Sequence, residues 1–344
     1  MRVRVVTLAL CGISLCASAG AQAYPWPIKP FHRQHPIRAN FGDPRTSFLD
    51  NLLTNGAVGP GSFQFHNGID ISAPDDTPVY PVVSGRVHII SGEAVRVVAA
   101  DRRTFQYFHI IPAVVDGEHV YAQRTVLGYI KSGWGHVHLT EIRGYHVWNP
   151  LAKGGIAPYE DLTDPTVRAI YIRRWNSMQM LSPSAVCGKV SVSADAYDTQ
   201  SERVTGVFAG FPVSPALLTW SLTNGARTRR LAAFDGDVDF RTTLPLKKDF
   251  WKVYARGTYQ NDPRFGRRQY PSAGMFMFLL TRQGLETRDL PNGTYKLAVH
   301  AFDIKGNEGS LVREFRIEND PLSPTGCRPA AKQAAQAPAT QPSP

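Results

Sequence analysis

Between Thr77 and Ile142 the chain runs in short stretches rich in Val, Ile, Phe and Tyr: TPVYPVVSGRVHII, AVRVVAA, TFQYFHII, TVLGYI and GHVHLTEIR. Glycines and charged residues punctuate them at the spacing of an antiparallel meander. No stretch here repeats its apolar residues every 3.6 positions, which argues against helices. A second series follows in TVRAIYIRRW, CGKVSVSADAYD, LLTWSL, DFWKVYAR, GMFMFLL, GTYKLAVHAFD and VREFRIE, parted by turns such as TNGA, FDGD, LPNG and DIKGNEG. About seven short strands with that punctuation suggest a β-sandwich. The expected fold class is all-β.

Between the two series, NPLAKGGIAPYEDLTDP collects prolines, glycines and acids and places a boundary near residues 150 to 165. A chain of 344 residues, 43% of them hydrophobic, holds enough apolar material for two domains. The expected division is a first β domain over 24–160 and a sandwich over 161–327. The opening of the first, YPWPIKPFHRQHPIRANFG at 24–42, is too proline-rich for a helix and reads as an extended lead-in, with His32 and His35 on a solvated arm. The end, RPAAKQAAQAPATQPSP at 328–344, has no core-forming content and is expected to be disordered.

Residues 1–23 read as an export signal: Arg2 and Arg4 start it, VVTLALCGISLCASAGA is its apolar stretch, and Ala21-Gln22-Ala23 offers small residues for cleavage. The apolar run is too short and too rich in small residues for a membrane span, and no later stretch approaches about 20 apolar residues. Cys11 and Cys16 follow leucines, against lipoprotein processing, and leave with the signal. Cys187 and Cys327 remain, and in an oxidising compartment two such cysteines are expected to pair. Loss of Arg2 and Arg4 lowers the formal charge from +10 to +8, which suits an anionic wall or membrane surface. Nucleic acid is a poor partner for an exported protein, and nothing in the sequence sets an oligomeric state.

The chemistry concentrates in FHNGID, where His66 precedes Asp70 by four residues with Gly68 between them. Imidazole and carboxylate from one short turn make a two-point grip on a divalent metal, and a catalytic zinc needs three protein ligands with a fourth position open. GHVHLTE supplies the third. Side chains at i and i+2 of a strand share a face, so His136 and His138 point the same way, one to ligate and the other to handle a proton. His109, at the end of TFQYFHII, belongs to the same expected sheet. His88, His119 and His300 read as strand or loop residues outside the site.

The order His-x-Gly-x-Asp, Ala-Pro, Thr77-Pro78-Val79, Ser84-Gly85-Arg86-Val87, aromatic-x-His, Gly128, His-x-His resembles the LytM/lysostaphin-type zinc metallopeptidases, which cleave peptide bonds in bacterial peptidoglycan. The resemblance spans about residues 36 to 142 and includes FGDPR at 41–45. It implies an antiparallel β-sheet (β-roll) metallopeptidase domain, with His66, Asp70 and His138 as zinc ligands and His109 and His136 as the two active-site histidines. LPNGTYKLAVHAFDIKGN resembles the late hairpin of immunoglobulin-like and fibronectin-type-III-like modules, which implies an immunoglobulin-like sandwich. Two departures from the first family stand out. KSGWG before His-x-His is short, and the glutamate usual two residues after the second histidine is Thr140, with Glu141 one further on; a bulge or a changed partner for the histidine accounts for such a shift. Trp134 in the short loop is either a stacking surface for substrate or an ordinary loop aromatic. The expected function is an exported zinc endopeptidase acting on peptidoglycan stem peptides or cross-bridges, in the periplasm or outside the cell. The alternatives are a non-catalytic wall-binding adaptor that regulates another hydrolase and a secreted protease of Gly-rich proteins.

Overall fold

The computed structural model describes residues 23–48, 61–224, 227–229, 238–261 and 274–327. The expected leader, up to residue 22, and the expected tail from residue 328 lie outside the described residues. The molecule is all-β with antiparallel sheets. None of its described helices is long and apolar enough to cross a membrane.

An eight-stranded sheet carries the site. Its order is Ile37–Ala39, Ile69–Ser72, His136–Arg143, Thr104–Phe108, Ala94–Ala99, Gly85–Ser91, His119–Val120, with His146–Trp148 also paired to His136–Arg143. Alternation decides its two faces. Along His136–Arg143, Val137 and Leu139 are fully buried among Ile69, Ile71, Val95, Val97, Phe105 and Tyr107, while the histidines take the other face. Burying each such side chain contributes about 1.5–3 kcal/mol.

The lead-in departs from expectation. It is non-helical, as its prolines dictate, but Tyr24, Trp26 and Ile28 are buried in the core of this sheet, and Trp26 Nε1 donates to Pro158 O at 2.7 Å. His35 is half-buried against the edge of Trp26 and is not on a solvated arm. Proline forbids a helix but does not hinder burial, and the aromatic content of the segment was the better guide.

The later strands form two sheets. One joins Thr166–Arg174, Lys189–Tyr197, Met277–Leu279 and Leu285–Glu286; the other joins Arg227–Arg229, Leu217–Asn224, Gly293–Phe302 and Glu308–Ile317, with Val238–Asp239 beside Leu217–Asn224. Both contribute to a second core, Ile170, Val190 and Val192 from one and Trp220, Leu297 and Val299 from the other. Cys187 and Cys327 are joined by a disulfide with Cα atoms 5.2 Å apart. Phe41 and Phe65, from the first part of the sequence, belong to this second core. The turn Phe41-Gly42-Asp43 is pressed against it: Gly42 has φ +93°, and a Cβ there would lie 2.4 Å from the Phe240 ring. Tyr254 OH donates to Gly42 O at 2.7 Å, and Ser214 N donates to Asp43 Oδ1 at 2.6 Å.

Candidate metal centre and active site

His138 and Asp70 face each other directly in the register of their antiparallel strands, which puts imidazole and carboxylate side by side on the upper face. His66 arrives from the turn after Gly61–Phe65. That turn is held by loop 40–43: His66 N donates to Asp43 O, Gly42 N donates to His66 O, and His66 Nδ1 donates to Asn40 O at 2.8 Å. Gly68 makes the approach possible. A Cβ on it would sit 2.2 Å from Leu139 O and 2.8 Å from His138 Nε2, so only glycine lets this turn lie against the His136–Arg143 strand.

The result is a tight cluster. Asp70 Oδ1 lies 3.0 Å from His66 Nε2 and 2.9 Å from His138 Nδ1, and the two nitrogens are 2.8 Å apart. All three residues are buried. Arg45 donates to the other carboxylate oxygen, Asp70 Oδ2, at 3.0 Å.

The protonation of these groups shows what they suit. A carbonyl only accepts, so the proton of a neutral His66 is on Nδ1 and its Nε2 presents a lone pair. Burial, with the Arg45 charge beside it, holds the His66 pKa down to about 3, so the ring is neutral at pH 7. Burial pushes the Asp70 carboxyl up, but His66, His136 and His138 outweigh it and hold the group well below the usual carboxylate range. When His138 Nε2 donates to Thr140 Oγ1, 2.8 Å away, His138 Nδ1 presents a lone pair as well. Three electron pairs then converge with no proton between them, an arrangement suited to a cation. Zinc accepts imidazole nitrogen and carboxylate oxygen alike, and the residues present fit it.

The other two histidines stand beside the cluster. His136 Nδ1 donates to Trp134 O at 2.8 Å, which leaves the Nε2 lone pair 3.6 Å from Asp70 Oδ1. His109 sits in the left-handed region, φ +64°, where the chain leaves Thr104–Phe108 for the small sheet of Pro78–Val79, Gly128–Ile130 and Ile110–Pro112. It therefore follows the strand instead of ending it, at a conformation that histidine adopts more readily than most residues. Its ring is 4.6 Å from that of His136 and stacks on Trp134 at 3.7 Å and 14°. Burial lowers both rings, His136 to about 4 and His109 to about 3, so both are neutral at pH 7.

The structure thus brings together His66, Asp70, His138, His109 and His136. His88 lies 3.8 Å from Asp116, His119 is exposed on an edge strand, and His300 bonds Glu308 at 2.6 Å; none of them joins the site. Thr140 holds the outer nitrogen of His138, with no bulge in the register at that point. Glu141 faces the opposite side, where Tyr24 OH and Arg143 Nε bond it at 2.8 and 2.7 Å. Trp134 has a role the sequence did not suggest: its ring and its carbonyl orient the two flanking histidines. The roles of Arg38 and Asn40 are not announced by the sequence, and Arg45, though it ends the FGDPR motif, is not marked there as the partner of Asp70.

No family model matches the chain, and neither does any curated protein. Solved structures similar to it include the SpoIIQ–SpoIIIAH pore-forming complex, with 19% identity over 38% of this chain and 90% of that one and a TM-score of 0.29. Pseudoalterin, an M23 metalloprotease from the deep sea, has 15% identity over 57% and 98%, with a TM-score of 0.25. The catalytic domain of the prophage-encoded M23 protein EnpA from Enterococcus faecalis has 26% identity over 36% and 96%, with a TM-score of 0.26.

Proposed function

We propose that the protein is an exported zinc endopeptidase that hydrolyses peptide bonds in peptidoglycan stem peptides or cross-bridges. The observation that carries this reading is the convergence of three lone-pair donors, from His66, Asp70 and His138, beside two further neutral imidazoles. The leader-like start of the sequence supports export, and the resemblance over residues 36–142 supports the substrate class.

Zinc held by the three donors would polarise a carbonyl and acidify a water toward neutrality. The chain's own residues do the rest. His136, its Nδ1 proton fixed on Trp134 O, turns Nε2 toward the cluster, where it accepts from Arg38 at 3.3 Å and takes up a proton once that contact gives way. His109, clamped by the Trp134 ring, is the second proton carrier, placed to serve the leaving amine or to donate to a developing oxyanion. Arg45 holds Asp70 by the oxygen turned away from the donors, which fixes its orientation. Ser214 and Tyr254, from the part of the chain read as an immunoglobulin-like sandwich, brace loop 40–43 and with it His66.

Muropeptides are digested with zinc-loaded protein and with a chelated control. New amine groups in the first and none in the second are expected; no product in either overturns the reading. Zinc far below one per chain after purification in its presence points instead to a wall-binding adaptor. Preferential cleavage of an elastin-like peptide moves the substrate to Gly-rich proteins.

A further inference from the structure

Arg38 is the extra residue of a β-bulge. Ile37 pairs with Ile71 and Ala39 with Asp70, so two steps on one strand match one step on the other. Its neighbours Ile37 and Ala39 are buried in the ordinary way, while Arg38 is turned onto the site face. Bulges next to active sites re-aim side chains in this manner.

The guanidinium is held at three points from two separate parts of the chain. One terminal nitrogen donates to Trp134 O at 3.0 Å, the other donates to His136 Nε2 at 3.3 Å, and the Phe208 ring lies 4.1 Å from its Cζ. Among the described residues no carboxylate lies within ion-pairing distance of it. Neighbouring arginines differ: Arg45 pairs with Asp70, and Arg103 and Arg143 pair with Glu141. Asp70 is already committed, one oxygen to the donor cluster and the other to Arg45. Asp70 still acts on Arg38 at longer range, but a half-buried guanidinium with no direct ion pair gains from an anion that completes the site. Two of a guanidinium's five N–H donors are used here, and its planar fork suits a carboxylate in a way that lysine does not.

We propose that Arg38 binds a carboxylate of the substrate close to the scissile amide, which makes it a specificity-determining residue for anionic peptides. The inference rests on the hydrolytic reading above only for where the amide lies. Two sources share this chemistry, a chain-terminal carboxylate and a side-chain carboxylate.

The test uses the zinc-loaded full chain and three peptides alike around the cleaved amide. One is fully amidated, one has a free C-terminus and one has a free side-chain acid. One carboxylate peptide is expected to exceed the amidated one by about 10- to 100-fold in kcat/KM, and which one it is identifies the source. That ratio is expected to collapse in Arg38→Gln and to fall partway in Arg38→Lys, which keeps the charge without the fork. A wild type that does not discriminate overturns the proposal. So does an Arg38→Gln protein that slows all three peptides by the same factor, which assigns Arg38 to the general chemistry or to the structure. Calorimetric binding of the same peptides to zinc-loaded His109→Ala, with and without Arg38→Gln, reads the preference without turnover. Selective binding without hydrolysis by the wild type would sink the reaction and keep the carboxylate site, while hydrolysis without selective binding would do the reverse.

Discussion

Two buried clusters invite comparison, His66–Asp70–His138 and Asp161–Asp198–Asp303. In each, three potential ligand atoms lie within 4.8 Å of one another. The all-carboxylate cluster resolves its crowding internally. Asp161 Oδ1 accepts from the hydroxyls of Thr163 and Ser201, and Asp303 Oδ1 accepts from the backbone N–H groups of Lys305, Gly306 and Asn307. Burial, with Asp161 beside it, pushes Asp198 up to about 8, so it holds a proton at neutral pH. The histidine cluster keeps its electron pairs bare, because Asn40 and Thr140 hold the outer ring nitrogens and Arg45 the outer oxygen. Proximity of acids therefore does not make a metal site. What counts is which way the surrounding groups, here Asn40, Thr140 and Arg45, turn the protons.

The sharpest way to break this comparison is to remove a donor from each cluster. His66→Ala or Asp70→Ala is expected to lose zinc and to reduce muropeptide cleavage more than about a thousandfold, whereas Asp198→Asn keeps its zinc. Elemental analysis beside the digestion assay reads both, and loss of zinc from Asp198→Asn would erase the distinction. Next in size, His109→Ala and His136→Ala are expected to keep zinc while losing about 10²- to 10⁴-fold in turnover. Equal loss of metal would make them ligands. Thr140→Val, which removes the partner of His138 Nε2, is expected to weaken zinc by about 10- to 100-fold in competition with a chelator.

What could be read from the sequence follows the same line. His66–Asp70 and His136–His138 are legible because spacing within a turn or a strand dictates a shared face, while the need for glycine at 68 shows only in its approach to Leu139 O. Thr140 was visible as a departure, but only the register showed that it bonds His138 while Glu141 turns to Tyr24. Arg38 was not legible at all. Its direction depends on a bulge that the residues IRA do not announce. The burial of Trp26 is not legible in the local proline signal, which excludes a helix and says nothing about packing.

The smallest expected effect concerns pH, where the clusters should pull stability in opposite directions. His66 and His136 titrate at about 3 and 4 in the fold against an ordinary value near 6.5. In metal-free protein their contribution is present above pH 6.5 and is lost as pH falls toward 4 and 3. Asp198 is raised, so its contribution is present below about pH 4 and is lost as pH rises through about 8. Melting of the metal-free protein should therefore decline on both sides, and Asp198→Asn should weaken the alkaline decline, which Asp43, pushed up to about 7 by burial, shares, while leaving the acid limb unchanged. An unchanged alkaline limb would separate Asp198 from that effect.

The packing of Phe41 and Phe65 into the second core has a consequence for the order of assembly. Thr46 is fixed by Gln260, and Gly42 by Tyr254, partners 214 and 212 residues further along the chain. During synthesis at about 5–20 residues per second, every residue that would touch the ion emerges well before the segment that shapes the turn beneath His66. The nascent front half carries its chemistry without the floor that aligns it, and capture of metal in the final geometry belongs to the finished polypeptide.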